Sequence, residues 1–205
     1  MIGIIDYGLG NLSSVLNALK KIRCEAIIFN KAEELDKFDK VILPGVGSFK
    51  AGMDNLKKKN WIPAINNHVS SGKPLLGICL GMQLLFSQGE EDGENRGLDL
   101  ISGKVQKMKI NKDLKLPHVG WNNLINIKEH KILQGIKKNI DFYFVHSFSC
   151  IPDEKECVIA EFNYGNHYVA CVSKNNIFGT QFHPEKSLPS GPILLKNFIN
   201  WNLKC

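Results

Sequence analysis

Four short apolar runs, spaced by amphipathic stretches, occupy the first 80 residues and leave few folds open. They are "IGIID" (2–6), "EAIIFN" (25–30), "KVILPG" (40–45) and "PLLGIC" (74–79). Between the first two, Leu12, Val15, Leu16, Leu19 and Ile22 fall on one face at helical spacing. Two further helical stretches, 51–59 and 63–70, separate the third run from the fourth. Strands separated by helices return in the same direction, so this order predicts a parallel sheet with helices on both faces.

The second half changes character. "LISGKVQKMKI" (100–110), "HVGWNNLINI" (118–127), "DFYFVHSFSC" (141–150), "CVIAEFN" (157–163), "HYVACVSK" (167–174) and "NIFGTQFH" (176–183) are rich in β-branched and aromatic residues. Turn signals such as "NYGNH" and "SKNN" lie between them, which predicts an antiparallel insertion or extension. Residues 193–203 regain helical periodicity, and "EEDGENR" (90–96) reads as a polar loop bordering an active site. No repeat or low-complexity linker interrupts the chain, so residues 1–205 are read as one α/β domain.

Composition narrows the function classes. No run of about 18 apolar residues exists to span a membrane, and "MIGIIDYGLG" reads as a first strand rather than a signal peptide, so a cytoplasmic protein is expected. The net charge of +6 includes lysine groups at 57–59 and at 104, 107 and 109. They lack interleaved aromatics and are read as solvated faces, not as a nucleic-acid surface. The six cysteines form no C-x-x-C pair, so zinc and dithiol chemistry have no spacing to rest on. A dinucleotide site after the first strand is also refused: Gly8-x-Gly10-x-x-Ser13 lacks the third glycine, and Asn30 stands where an acidic residue would hold a ribose. Trp121 and Trp201 are read as packing residues, and His68 and His130 are left unassigned.

One cysteine has a distinctive setting. Gly77-Ile78-Cys79-Leu80-Gly81 joins a buried strand to a helix in the G-x-nucleophile-x-G pattern of a nucleophile elbow. The flanking glycines relieve crowding in so tight a bend. The helix N-terminus favours an anion at the elbow and offers N–H groups to an oxyanion. Such a nucleophile needs a base and a group to orient it. In "GTQFHPEKS", His183 is followed two residues later by Glu185, and in an extended segment both side chains share a face, with Pro184 stiffening the segment and blocking helix formation. "LPGVGSF" (43–49) ends a strand with glycines whose N–H groups are free to face a ligand.

Together "LLGICLGMQLLF", "LPGVGSF" and "GTQFHPEKS" resemble the class I, triad-type glutamine amidotransferases, whose fold is flavodoxin-like with a smaller antiparallel sheet. "IGIIDYGLGNLSSV", "LPHVGWN" and "FYFVHSF" are similar, in order and spacing, to the glutaminase subunits of imidazole glycerol phosphate synthases. The resemblance implies Cys79 as nucleophile, His183 as base and then acid, and Glu185 as its orienting partner. It implies oxyanion donors at Leu80 and in the loop Gly45, Val46 and Gly47, glutamine contacts at Gln83, and a glutamine site or interface at Tyr143, His146 and Ser147. It also implies no metal or organic cofactor, and a (β/α)8-barrel cyclase as heterodimer partner, with Lys186 at the interface. The cyclase uses the ammonia to form imidazole glycerol phosphate and AICAR from PRFAR in histidine biosynthesis. Phe148, Asp99 and Ser102 depart from the family pattern. Three other readings compete: a paralogue supplying ammonia for sugar amidation, a silent regulatory scaffold, and a cysteine peptidase. Weak activity alone and stimulation by the partner are expected, with a peptide of the 45–47 loop as the switch.

Overall fold

The four apolar runs of the first half lie side by side in one sheet. In chain order the computed structural model, which describes residues 1–137 and 139–201, contains β1 (Ile2–Ile5), α1 (Leu12–Lys21), β2 (Ala26–Phe29), β3 (Lys40–Gly45), α2 (Phe49–Lys58), α3 (Trp61–Ser70), β4 (Leu75–Cys79) and α4 (Leu80–Leu84). There follow β5 (Phe86–Gly89), β6 (Asn95–Arg96), β7 (Ile101–Lys107), β8 (His118–Asn123), β9 (Asp141–His146), β10 (Phe148–Pro152), β11 (Val158–Asn163), β12 (His167–Lys174), β13 (Ile177–Thr180) and α5 (Ser190–Asn200).

The main sheet has the order β11-β12-β13-β4-β3-β1-β2. From β13 to β2 every pairing is parallel, in the 2-1-3-4-5 order of flavodoxin-like sheets, with β13 as the fifth strand. β11 and β12 extend that sheet antiparallel at one edge. Two smaller sheets, β10-β7-β5-β6 and β8-β9, complete the fold. The expected mostly parallel sheet with a smaller antiparallel sheet is therefore present.

Each face of the main sheet buries its own core. On one face Val15 and Leu19 of α1 and Leu194, Leu195 and Phe198 of α5 pack with Ile4, Ile42, Leu76 and Ile78. On the other, Phe49, Met53 and Leu56 of α2 and Trp61 and Ile65 of α3 pack with Ile5, Leu43 and Leu75. Asn11 caps α1 by accepting from Ser14 N at 3.3 Å, and Ser48 caps α2 by accepting from Ala51 N at 3.4 Å. Lys57 and Lys58 end α2, where the helix dipole favours cations. That position gives part of the lysine group a local role.

Five expectations are corrected. The run 141–150 is two strands in different sheets: the chain bends at Ser147, so β9 pairs with β8 and β10 pairs with β7. The run 176–183 ends as a strand at Thr180, though Gln181 N still donates to Ala170 O of β12, and the chain then turns toward β9 and carries His183 to the site. The loop 90–96 includes the short strand β6, paired with β5. The helical tail ends at Asn200, and Leu203 and Cys205 lie outside the described residues. Trp201 is buried, but Trp121 is 54% exposed, so the packing role expected of both holds only for Trp201. No helix among the described residues is long and apolar enough to cross a membrane.

Candidate active site

β3 and β4 run parallel in a register that sets Gly45 beside Cys79 at the carboxyl edge of the sheet. Cys79 is at once the last residue of β4 and the N-cap of α4, with φ +54° and ψ −110°. That conformation costs a non-glycine residue about 1–3 kcal/mol and is held by the strand pairings on both sides. The bracketing glycines serve close approach. A β-carbon on Gly77 would stand 2.8 Å from Gly81 O and Met82 N, and one on Gly81 would overlap the Leu43 carbonyl oxygen. Gly81→Ala is therefore expected to destabilise the fold by ~3 kcal/mol, because backbone meets backbone and neither can yield. Chemical denaturation measures it, and an unchanged midpoint would contradict this packing.

The elbow opens on a cleft of about 490 Å³. Val46, Gly47, Leu80, Gln83, His146 and Ser147, all singled out in the sequence, line it with Cys79 and His183. Gly45 sits directly behind that wall, beside Cys79. Of the two loop glycines only Gly47 has a left-handed φ, +112°. Gly45 is there for space, since a β-carbon would overlap the Tyr7 hydroxyl.

His183 Nδ1 lies 2.7 Å from Glu185 Oε1, with both side chains buried. The carboxylate accepts from Nδ1–H, which leaves Nε2 free toward its reaction partner; Nε2 makes no hydrogen bond of ordinary geometry among the described residues. Burial opposes charge on this imidazole. The Cys79 sulfur and the Glu185 carboxylate outweigh it and push its pKa up to about 10. The segment is not extended as expected. Pro184 begins a 3-10 turn (Pro184–Lys186), at a position where its missing N–H costs nothing, and the turn brings Glu185 back under the ring. Ser187 locks this turn onto β9: its hydroxyl donates to His183 O at 2.6 Å and accepts from Tyr143 N at 2.9 Å, while His183 N donates to Tyr143 O at 2.9 Å.

Sequence reasoning missed three residues here. Gln181 Nε2 approaches Cys79 Sγ at 3.8 Å, and its Oε1 accepts from Gln83 Nε2 at 3.1 Å. It sits two residues before His183, on the strand exit already singled out. Ser187 is the last letter of "HPEKS". Glu91, within the polar loop expected to border the site, reaches the cleft wall and accepts from Phe49 N at 2.8 Å. Burial raises its pKa, the cost of holding a carboxylate there.

His146 donates from Nδ1 to Phe148 O, at 2.7 Å. Burial keeps it neutral, with its pKa down to about 3; His118 and His183 act in the same direction. Tyr143, expected at the glutamine site or the interface, is absent from the cleft wall. Its ring lies on the outer side of His183, 6.4 Å away, 5.8 Å from Trp121 and 5.4 Å below Lys186 Nζ. Of the departures, Phe148 serves through its carbonyl, which accepts from both Gln83 and His146, and Asp99 accepts from Ser87 Oγ.

An elbow cysteine, a carboxylate-backed histidine and a glycine loop at the edge of a flavodoxin-like sheet make up a cysteine-nucleophile site of the acyl-transfer kind, and the family model "Glutamine amidotransferase class-I" matches residues 3–201. The structure of PurLQS from Thermotoga maritima shares the fold, with a TM-score of 0.75 and 19% identity over 97% of both chains. Imidazole glycerol phosphate synthase subunit HisH of Desulfitobacterium hafniense (strain DSM 10664 / DCB-2) is 47% identical over 98% of this chain and 94% of its own. Subunit HisH 1 of Campylobacter jejuni (strain RM1221) is 48% identical over 97% and 99%. The chain belongs to the class I glutamine amidotransferases, in the family of the HisH subunits.

Proposed function

We propose that Cys79, His183 and Glu185 hydrolyse the side-chain amide of glutamine, as the glutaminase of an imidazole glycerol phosphate synthase in histidine biosynthesis. The carrying observation is the buried 2.7 Å contact of His183 Nδ1 with Glu185, on an imidazole whose other strong electrostatic partner is the elbow sulfur. Cys79 attacks the amide carbon, and the oxyanion is met by main-chain N–H groups of Leu80 and of the 45–47 loop. His183, having taken the proton of the Cys79 thiol, gives it to the leaving nitrogen, and ammonia departs from a glutamyl thioester. The neutral imidazole then takes a proton from water, which attacks the thioester, and glutamate leaves as Cys79 is restored. Glu91, on the cleft wall, is the partner for the α-ammonium group of the substrate. Glutamate release from glutamine, with and without the synthase partner, tests the reading; none in either case would overturn it.

The ammonia is consumed by a cyclase subunit, a (β/α)8 barrel in this proposal, within a cytoplasmic heterodimer. An exposed patch supports a docking face beside the triad: Val119 and Trp121 on β8, and Leu188 just after Lys186. Lys186 stands over Tyr143, whose main chain holds His183, so contact there reaches the triad through one residue. Lys186→Ala is expected to cut partner stimulation about tenfold while basal hydrolysis changes less than twofold, since one exposed charge contributes ~1 kcal/mol or somewhat more at an interface. Steady-state glutamate release by free and complexed protein measures both, and equal stimulation of mutant and wild type would refute the role.

A further inference from the structure

Tyr7 ends its side chain beneath the loop that follows β3, where a β-carbon on Gly45 would overlap its hydroxyl and stand 2.9 Å from Leu80 Cβ and 3.0 Å from Gly81 N. The residue is fully buried, and its hydroxyl has no hydrogen-bond partner among the described residues. An unpaired hydroxyl in the interior costs about 1–3 kcal/mol. Phenylalanine would fill the same space without that cost. Burial, reinforced by the Cys79 sulfur, raises the pKa of the phenol, so the group stays neutral and able to donate.

The adjoining main chain is the segment able to change. Val46 is exposed on the cleft and Gly47 has a left-handed φ, so the Gly45–Val46 peptide lies between a pinned strand end and a flexible glycine. In a planar trans peptide the C=O and the N–H point in opposite directions. Turning Val46 N–H toward the cleft therefore sends the Gly45 carbonyl to the buried side, where the Tyr7 hydroxyl ends.

We propose that Tyr7 is a positioning residue for the oxyanion loop: its hydroxyl donates to the Gly45 carbonyl when the Gly45–Val46 peptide presents Val46 N–H to the oxyanion. The hydroxyl without a partner then belongs to the resting arrangement, and its hydrogen bond to the arrangement that turns over substrate. The inference rests on the glutaminase reading above, because only an oxyanion gives that N–H its purpose.

Tyr7→Phe in the complex with the synthase partner tests it through three readouts. At saturating glutamine, kcat for glutamate release should fall about tenfold while KM stays within twofold, as for an interaction made only in the transition state. The rate of Cys79 alkylation by iodoacetamide should not change, because that displacement forms no oxyanion. The thermal midpoint should be unchanged or higher. An unchanged kcat overturns the inference, and so does a parallel loss of alkylation or of stability, which would mean that the phenol only props the elbow. Wild-type complex that releases no glutamate would sink the glutaminase reading and this inference with it; normal wild-type turnover matched by Tyr7→Phe sinks this inference alone.

Discussion

Cys79→Ala is expected to lower glutamine hydrolysis by ~10⁴-fold or more, since without the sulfur no thioester forms and only the oxyanion donors remain. The fold should survive. Alanine keeps the β-carbon that already occupies the positive-φ elbow, and the strand register on both sides of residue 79 is main-chain bonding that the change leaves intact. Two measurements separate loss of chemistry from loss of structure. Thermal unfolding should remain a single cooperative transition, lowered only by the loss of the sulfur's attraction for the His183 imidazolium, and synthesis driven by free ammonium in the complex should persist, because that route bypasses the triad. Glutamate release near the wild-type rate would remove Cys79 from the mechanism.

His183→Ala should cost ~10⁴-fold in kcat and Glu185→Gln only ~10²-fold, the upper and lower reach of general acid–base catalysis. Both proton transfers pass through the imidazole, whereas Glu185 holds and charges it. The pH behaviour adds a sign. His183 has its pKa raised from 6.5 to about 10, against the burial that opposes its charge, by the Cys79 sulfur and the Glu185 carboxylate. Its protonated form therefore stabilises the fold fully below about pH 6.5, and that contribution is lost as pH rises through about 10. Removing the carboxylate takes away one of the two anions, so in Glu185→Gln the imidazole pKa should fall and the loss should begin at lower pH. An NMR titration of the His183 ring reads this directly. A pKa that stays put, or a Glu185→Gln enzyme slower than His183→Ala, would contradict the assigned order of roles.

Much of this site was legible in the chain because its parts are local. The elbow is five consecutive residues, and Gly77 is needed by close main-chain approach within that strand–turn–helix unit, whereas Gly81 makes room for the Leu43 carbonyl of the neighbouring strand β3. His183 and Glu185 are two residues apart, and "PGVG" ends a strand whose apolar pattern is plain. The alternation of the first half also determined the parallel sheet, since helix-length connections between strands admit little else.

What tertiary structure decided was everything that depends on which segments meet. Local pattern made residues 141–150 one strand. Two partner strands in different sheets, β8 and β7, break it at Ser147 and so carry His146 and Ser147 to the cleft. An extended reading of 183–186 gave the right pair for the wrong reason, because the 3-10 turn forms where Ser187 can bond both His183 O and Tyr143 N. Gln181, Glu91 and Tyr7 lie inside stretches the sequence singles out, but nothing local assigns them a role. Each acquires its place from packing against residues between 38 and 102 positions away, at Cys79, Phe49 and Gly45, by distances that no local periodicity encodes.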